Sequence, residues 1–184
     1  NTYLAMGQSG SLSDQTGREF AEYFRKNGLD LTIENMAGLD SGLQQLESNN
    51  SKVNASFVTS GTATRGDYPN LVSLGSVQIA PLWLFYRGDK VITDDPFEYY
   101  KDKQISIGAE GTVTNKLFLR LMELNNPGTG IQKNFLQLTH AEAAEQLRHG
   151  KIDAMFIVDG INSTVVESLI HDPAIRLMNF PLAD

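Results

Sequence analysis

The chain has 184 residues, 41% of them hydrophobic, enough to bury one good core or two small ones. Its 15 basic and 22 acidic residues leave a net charge of −7, with no run of Lys or Arg to neutralise a phosphate backbone, so a nucleic acid partner is not expected. The absence of cysteine excludes disulfides, thiolate metal sites and cysteine nucleophiles, and no apolar run approaches the roughly 20 residues that cross a bilayer.

In chain order, a first strand is predicted at 2–6. It runs into the small polar loop Gly7-Gln8-Ser9-Gly10-Ser11-Leu12-Ser13-Asp14 and then a helix at 14–27. A strand at 31–35, a helix at 40–48 and a strand at 54–58 follow. That last strand breaks at Ser60-Gly61-Thr62 into a short helix at 62–66. Strands are predicted next at 71–75 and 80–86. The stretch 71–87 is too long and apolar for one surface strand and is punctuated by Gly75 and Pro81, which marks it as a crossing between lobes.

A helix at 96–101 leads to a strand at 104–107, where the opening pattern returns. Ile105-Ser106-Ile107-Gly108-Ala109-Glu110-Gly111-Thr112 feeds a helix at 113–125, as Tyr3 to Ser11 feeds the first. A strand at 134–138, a helix at 140–149 and a strand at 153–158 complete the repeat, which breaks at Asp159-Gly160-Ile161 into a helix at 161–171. Asp172-Pro173 ends that helix before a returning strand at 175–178, the second crossing.

Alternating strands and helices argue for an α/β chain in which each lobe is a parallel or mixed sheet flanked by helices. The expected division is residues 1–80 with 174–184 as lobe 1 and residues 81–173 as lobe 2, hinged near 78–87 and 173–178 and closing on a small molecule. The chain opens almost inside its first strand and stops just after its last, so a longer parent protein is expected.

Open α/β sheets bind ligands outside the carboxyl ends of their strands, which makes the loops there the candidate site. The first loop offers Gln8, Ser9, Ser11 and Ser13 beside a helix start, where unpaired N–H groups and a partial positive charge attract carboxylates and phosphates. The corresponding loop of the second half offers Thr112, Thr114 and Asn115. Ser60 and Thr62 line a third loop, and Asp159 and Asn162 a fourth. Each of these groups is equally at home as a helix cap. Trp83 either floors a pocket or packs in the core, and Arg65 and Arg87 either clamp a carboxylate or sit in solvent.

Catalysis has little support. His140, His149 and His171 are scattered without a paired ligand spacing, so no metal centre is expected. No phosphate loop, dinucleotide fingerprint or nucleophile elbow occurs, and Ser9 or Ser60 lacks a visible base. Neither an enzyme nor a cofactor is expected.

Several segments together carry a resemblance. They are Gly7 to Gly17, Gly38-Leu39-Asp40-Ser41-Gly42-Leu43, Leu71-Val72-Ser73-Leu74-Gly75-Ser76, Pro81-Leu82-Trp83-Leu84-Phe85-Tyr86-Arg87, Ile107 to Gly111 and Gly150-Lys151-Ile152-Asp153-Ala154-Met155-Phe156. In this order they resemble the TAXI-type solute receptors of TRAP transporters, which have the type II periplasmic binding protein fold. The resemblance implies a two-lobed periplasmic or otherwise extracytoplasmic receptor, membrane-anchored in some relatives. It would capture a small organic acid or amino acid and pass it to membrane transporter subunits. A ligand-sensing input domain of a membrane signalling protein is the alternative. Two departures bear on the ligand. Leu12-Ser13-Asp14 replaces an aromatic pair, and Gly111-Thr112-Val113-Thr114-Asn115 stands where many relatives carry an arginine. Glutamate-like specificity is therefore not carried over.

Overall fold

The protein is described by a computed structural model covering residues 1–7, 12–36, 39–125, 127–128 and 130–180. Its chain divides into two compact units, residues 1–78 and 79–184.

The first unit runs β1 (Thr2–Met6), α1 (Leu12–Lys26), β2 (Leu31–Asn35), α2 (Leu39–Glu47) and β3 (Val53–Ser56). Among the described residues its sheet has the order β2-β1-β3, with both pairings parallel. Parallel neighbours require a crossover, and α1 and α2 supply them. Helix α1 lies close on β1 because Gly17 leaves room: a Cβ there would fall 1.7 Å from the Met6 sulfur. Phe20 meets Phe57 edge-on at 5.8 Å and Phe24 at 6.1 Å, which covers the end of this small core.

The second unit runs β4 (Leu82–Arg87), α3 (Pro96–Tyr100), β5 (Ile105–Ser106), α4 (Val113–Asn125), β6 (Phe135–Leu136), α5 (His140–Arg148), β7 (Ala154–Val158), α6 (Thr164–Ile170) and β8 (Ile175–Leu177). Its described sheet has the order β6-β5-β7-β4-β8. The first three strands are parallel to one another, and β4 is antiparallel to both β7 and β8.

Strand β7 is buried throughout, and its period-2 alternation feeds two cores. Ala154 and Phe156 join Leu84, Tyr86, Ile105, Phe118 and Met122 on the face covered by α3 and α4. Met155 and Ile157 join Phe85, Ala144, Leu147, Val166 and Leu169 on the face covered by α5 and α6. A central strand buried on both faces reads as a continuous apolar run, as Ala154-Met155-Phe156-Ile157-Val158 does.

The internal repeat is present in the topology. The order β1-α1-β2-α2-β3 with sheet order β2-β1-β3 matches β5-α4-β6-α5-β7 with sheet order β6-β5-β7.

Three expectations change. The helix predicted at 62–66 is a series of turns, because Asp67 accepts from both the backbone N–H and the hydroxyl of Thr64 at 2.8 Å and closes the chain locally. The strand predicted at 71–75 joins no ladder. Val72 and Leu74 are 82% and 92% exposed, since apolar residues make a strand only where a neighbouring strand accepts their backbone groups. Residues 175–177, expected to return to the first lobe with 174–184, instead form β8 on the edge of the second unit's sheet, with Phe85 beside Leu177 and Arg87 beside Ile175.

Candidate functional site

In the second unit the carboxyl ends of β5 and β7 and the amino end of antiparallel β4 lie at one edge of the sheet, since Leu82 pairs with Val158 and Ser106 with Met155. Three loops leave this edge and enter α4, α5 and α6. Their polar side chains bond to one another.

The loop into α4 turns at Gly108, whose φ of +82° belongs to the left-handed region and whose missing Cβ would stand 2.7 Å from that of Thr114. Thr112 caps the helix. Its hydroxyl donates to the Ala109 carbonyl at 2.6 Å and accepts from the Asn115 N–H at 3.3 Å. The buried Asn115 side chain donates to the Gly108 carbonyl at 3.3 Å, which ties the turn to the helix it precedes. Thr114 is fully buried. Its hydroxyl accepts from the Val158 N–H at 2.9 Å and lies 2.9 Å from Nε2 of His140.

His140 is the first residue of α5, set there by a reciprocal cap. The Thr139 hydroxyl accepts from the Glu142 N–H while the Glu142 carboxylate accepts from Thr139. The other ring nitrogen, Nδ1, faces Oδ2 of Asp159 at 3.7 Å, an ion-pair separation longer than a hydrogen bond.

Asp159 ends β7. Burial alone would raise its pKa, but the donors that face the carboxylate, His140, Ser163 and the Gly160 N–H, outweigh burial and hold the carboxyl below the usual aspartate range. Gly160 donates to Oδ1 at 2.9 Å. Ser163 occupies the cap position of α6 without capping it, its hydroxyl serving Asp159 instead. Trp83 closes the group, its indole N–H donating to the Asp159 carbonyl at 2.9 Å while its ring stacks on Phe85.

The first unit has an equivalent anchor. Asn35, ending β2, donates to the Gly7 carbonyl at 3.1 Å and to Oδ1 of the buried Asp14 at 2.9 Å. Arg18 pairs with the same carboxylate at 3.0 Å, and Ser13 accepts from the Gly7 N–H at 3.2 Å.

Of the residues predicted from sequence, Thr112, Thr114, Asn115, Asp159 and Trp83 fall together at the second unit's loop edge, with exposed Asn162 in the turn that follows. Gln8, Ser9 and Ser11 lie outside the described residues. Ser13 anchors the base of its loop. Ser60 and Arg65 are exposed in the turns after β3, where Thr62 donates to the Thr59 carbonyl at 2.6 Å. Arg87 is not at the site. Its backbone N–H donates to the Asp153 carbonyl at 3.2 Å and its guanidinium to the Arg148 carbonyl, at the opposite end of β7. His140, Ser163, Asp14 and Asn35 were missed as site residues. Asn35 and His140 share a legible signal, a polar residue at or just beyond the carboxyl end of the strand paired to β1 or β5.

Among the described residues no helix is long and apolar enough to cross a membrane. No curated protein matches the sequence. Among solved structures, GshT, from a study of glutathione import in Streptococcus mutans, superposes with a TM-score of 0.61 at 16% identity over 100% of this chain and 78% of that one. An arginine-bound ArgBP from T. maritima gives 0.55 at 19% identity over 95% and 80%. The periplasmic sensor of the Borrelia burgdorferi histidine kinase Hk1 gives 0.50 at 12% identity over 97% and 80%. At these identities the likeness is one of fold, the type II periplasmic binding protein class. The profile of the NMT1-like family matches residues 32–184. The chain belongs to the NMT1-like family.

Proposed function

We propose that the protein is an extracytoplasmic receptor that captures a small organic acid or amino-acid-like solute and delivers it to membrane transporter subunits. The carrying observation is the bonded, half-buried polar group of Thr114, His140, Asp159 and Trp83 at the carboxyl edge of parallel strands, where open α/β sheets take ligands. A ligand carboxylate would meet the positive end of α4 behind the Gly108–Thr112 turn. An ammonium or other N–H donor would meet the ionised Asp159. The resemblance of the chain's motifs to TAXI-type receptors favours a TRAP-type partner.

The fold likeness to the Hk1 sensor supports a second reading, an input domain that reports the same binding event to a kinase. A reading frame that continues into a kinase segment would select it.

Thermal unfolding in the presence of the twenty L-amino acids, glutathione and succinate tests the common core of both readings. A ligand at 100 times its Kd adds about 2.7 kcal/mol, so at least one compound should raise Tm in a concentration-dependent way. Asp159→Asn should lose that increment while remaining folded. No shift with any compound would overturn the reading.

A further inference from the structure

We propose that His140 is a positioning residue whose uncharged ring is fixed as the Nδ1–H tautomer by hydrogen bonds that run from the β7 backbone through Thr114 to Nε2, so that Nδ1–H is directed at the Asp159 carboxylate. The tautomer follows from the bonds of Thr114. A threonine hydroxyl has one proton and two lone pairs. The Val158 N–H occupies a lone pair at 2.9 Å, and the remaining partner of this hydroxyl is His140 Nε2 at 2.9 Å. Thr114 is 1% exposed, and a buried hydroxyl proton without an acceptor is costly. The proton therefore goes to Nε2, which must be the unprotonated ring nitrogen, and the ring's own proton sits on Nδ1. Nδ1 is the atom that faces Asp159 Oδ2 at 3.7 Å. A protonated ring would instead leave Nε2–H and the threonine proton opposed.

The charged side chains in the first turns of the helices that start at this edge are Lys116 on α4, Glu142 on α5, held by Thr139, and Glu167 on α6, with Asp159 just after β7. Strand β4 presents Trp83 there, an uncharged donor committed to the Asp159 carbonyl.

The ring so fixed turns the positive end of its Nδ1–H bond toward the inner side of the Asp159 carboxylate across 3.7 Å, an electrostatic contact rather than a hydrogen bond. With Gly160 and Ser163 donating, the carboxylate is fixed in orientation and its remaining acceptor capacity is left for a ligand. This deepens the proposed receptor function and its ligand arm rests on that reading: the site selects solutes with a free ammonium over the same solutes with that group acylated. His140 does not touch the ligand in this scheme; it acts through Asp159.

Two measurements separate the parts. Ring nitrogen NMR of the uniformly labelled chain at alkaline pH reads the tautomer with no ligand present. His140 should show protonated Nδ1 and bare Nε2, and Thr114→Val, which removes the hydroxyl that donates to Nε2, should release that preference. A wild-type His140 carrying its proton on Nε2 would overturn the chain of bonds, whether or not the variant folds.

Each L-amino acid is then compared with its N-acetyl derivative by thermal shift and calorimetry. The wild type should prefer the free amine at least tenfold. His140→Ala should reduce that preference several-fold, and His140→Gln, which keeps an N–H donor, should restore part of it. Equal binding of both series would overturn the ammonium selectivity and leave the receptor reading intact. Binding of neither series, with succinate and glutathione also inert, would overturn both.

Discussion

At the scale of single residues, the protonation of Asp159 offers the most direct test of the site. Its folded pKa is depressed, so its contribution to stability is fully present above the ordinary aspartate value of 3.8 and is lost as pH falls through the lower folded value. Wild type should melt above Asp159→Asn at neutral pH, with the difference constant down to about pH 5 and closing below pH 4. A difference that widened with acid would mean that the carboxyl is not stabilised in its ionised form. Gly108 gives a steric counterpart. Its φ of +82° and the 3.0 Å approach of a would-be Cβ to the Asn115 backbone nitrogen leave no room for alanine. Gly108→Ala should cost about 1–3 kcal/mol by urea unfolding and displace Thr114 from His140. An unchanged midpoint would show that the turn relaxes freely.

At the scale of elements, the second unit depends on how α4 seats its aromatic. Phe118 is buried, meeting Phe156 at 4.8 Å and Phe135 at 5.2 Å, both edge-on, so it joins α4 to β7 and β6 at once. Phe118→Ala should cost about 3–5 kcal/mol, read as a lower denaturation midpoint with an unchanged slope. The elements with strong periodicity or uniform burial were legible in the sequence: α1, α4, α5 and β7 lie where the apolar pattern puts them, and so does the repeat. What was not legible depended on partners far along the chain. Leu71 to Leu74 has the composition of a strand yet pairs with none, and 175–177 has the composition of a crossing yet pairs with β4. The site divided in the same way. Loop residues such as Asp159 and Thr112 could be named because loops at strand ends are short and polar. For His140 the position just beyond a strand end was legible, but its bond to Thr114, 26 residues away, is encoded by no local pattern.

At the scale of the whole molecule, the two units repeat one topology but differ in what they bury. Among the described residues the first unit's buried apolar set is Leu4, Ala5, Met6, Leu43 and Val53, around a parallel sheet whose strand β2 is only partly covered. The second packs two clusters on opposite faces of β7, with Phe85, Phe118 and Phe156 essentially inaccessible. Opening free energies follow buried apolar contact, so the units should not open together. Native-state hydrogen exchange should rank the amides of β7 and β4 slowest and those of β1 to β3 faster by an order of magnitude or more. A ligand held only by the Asp159 loop edge would slow exchange in the second unit alone. Protection that rose in β1 and β3 as well would show that the first unit's loops close on the same solute, and equal protection in both units without ligand would mean that the chain opens as a single cooperative body.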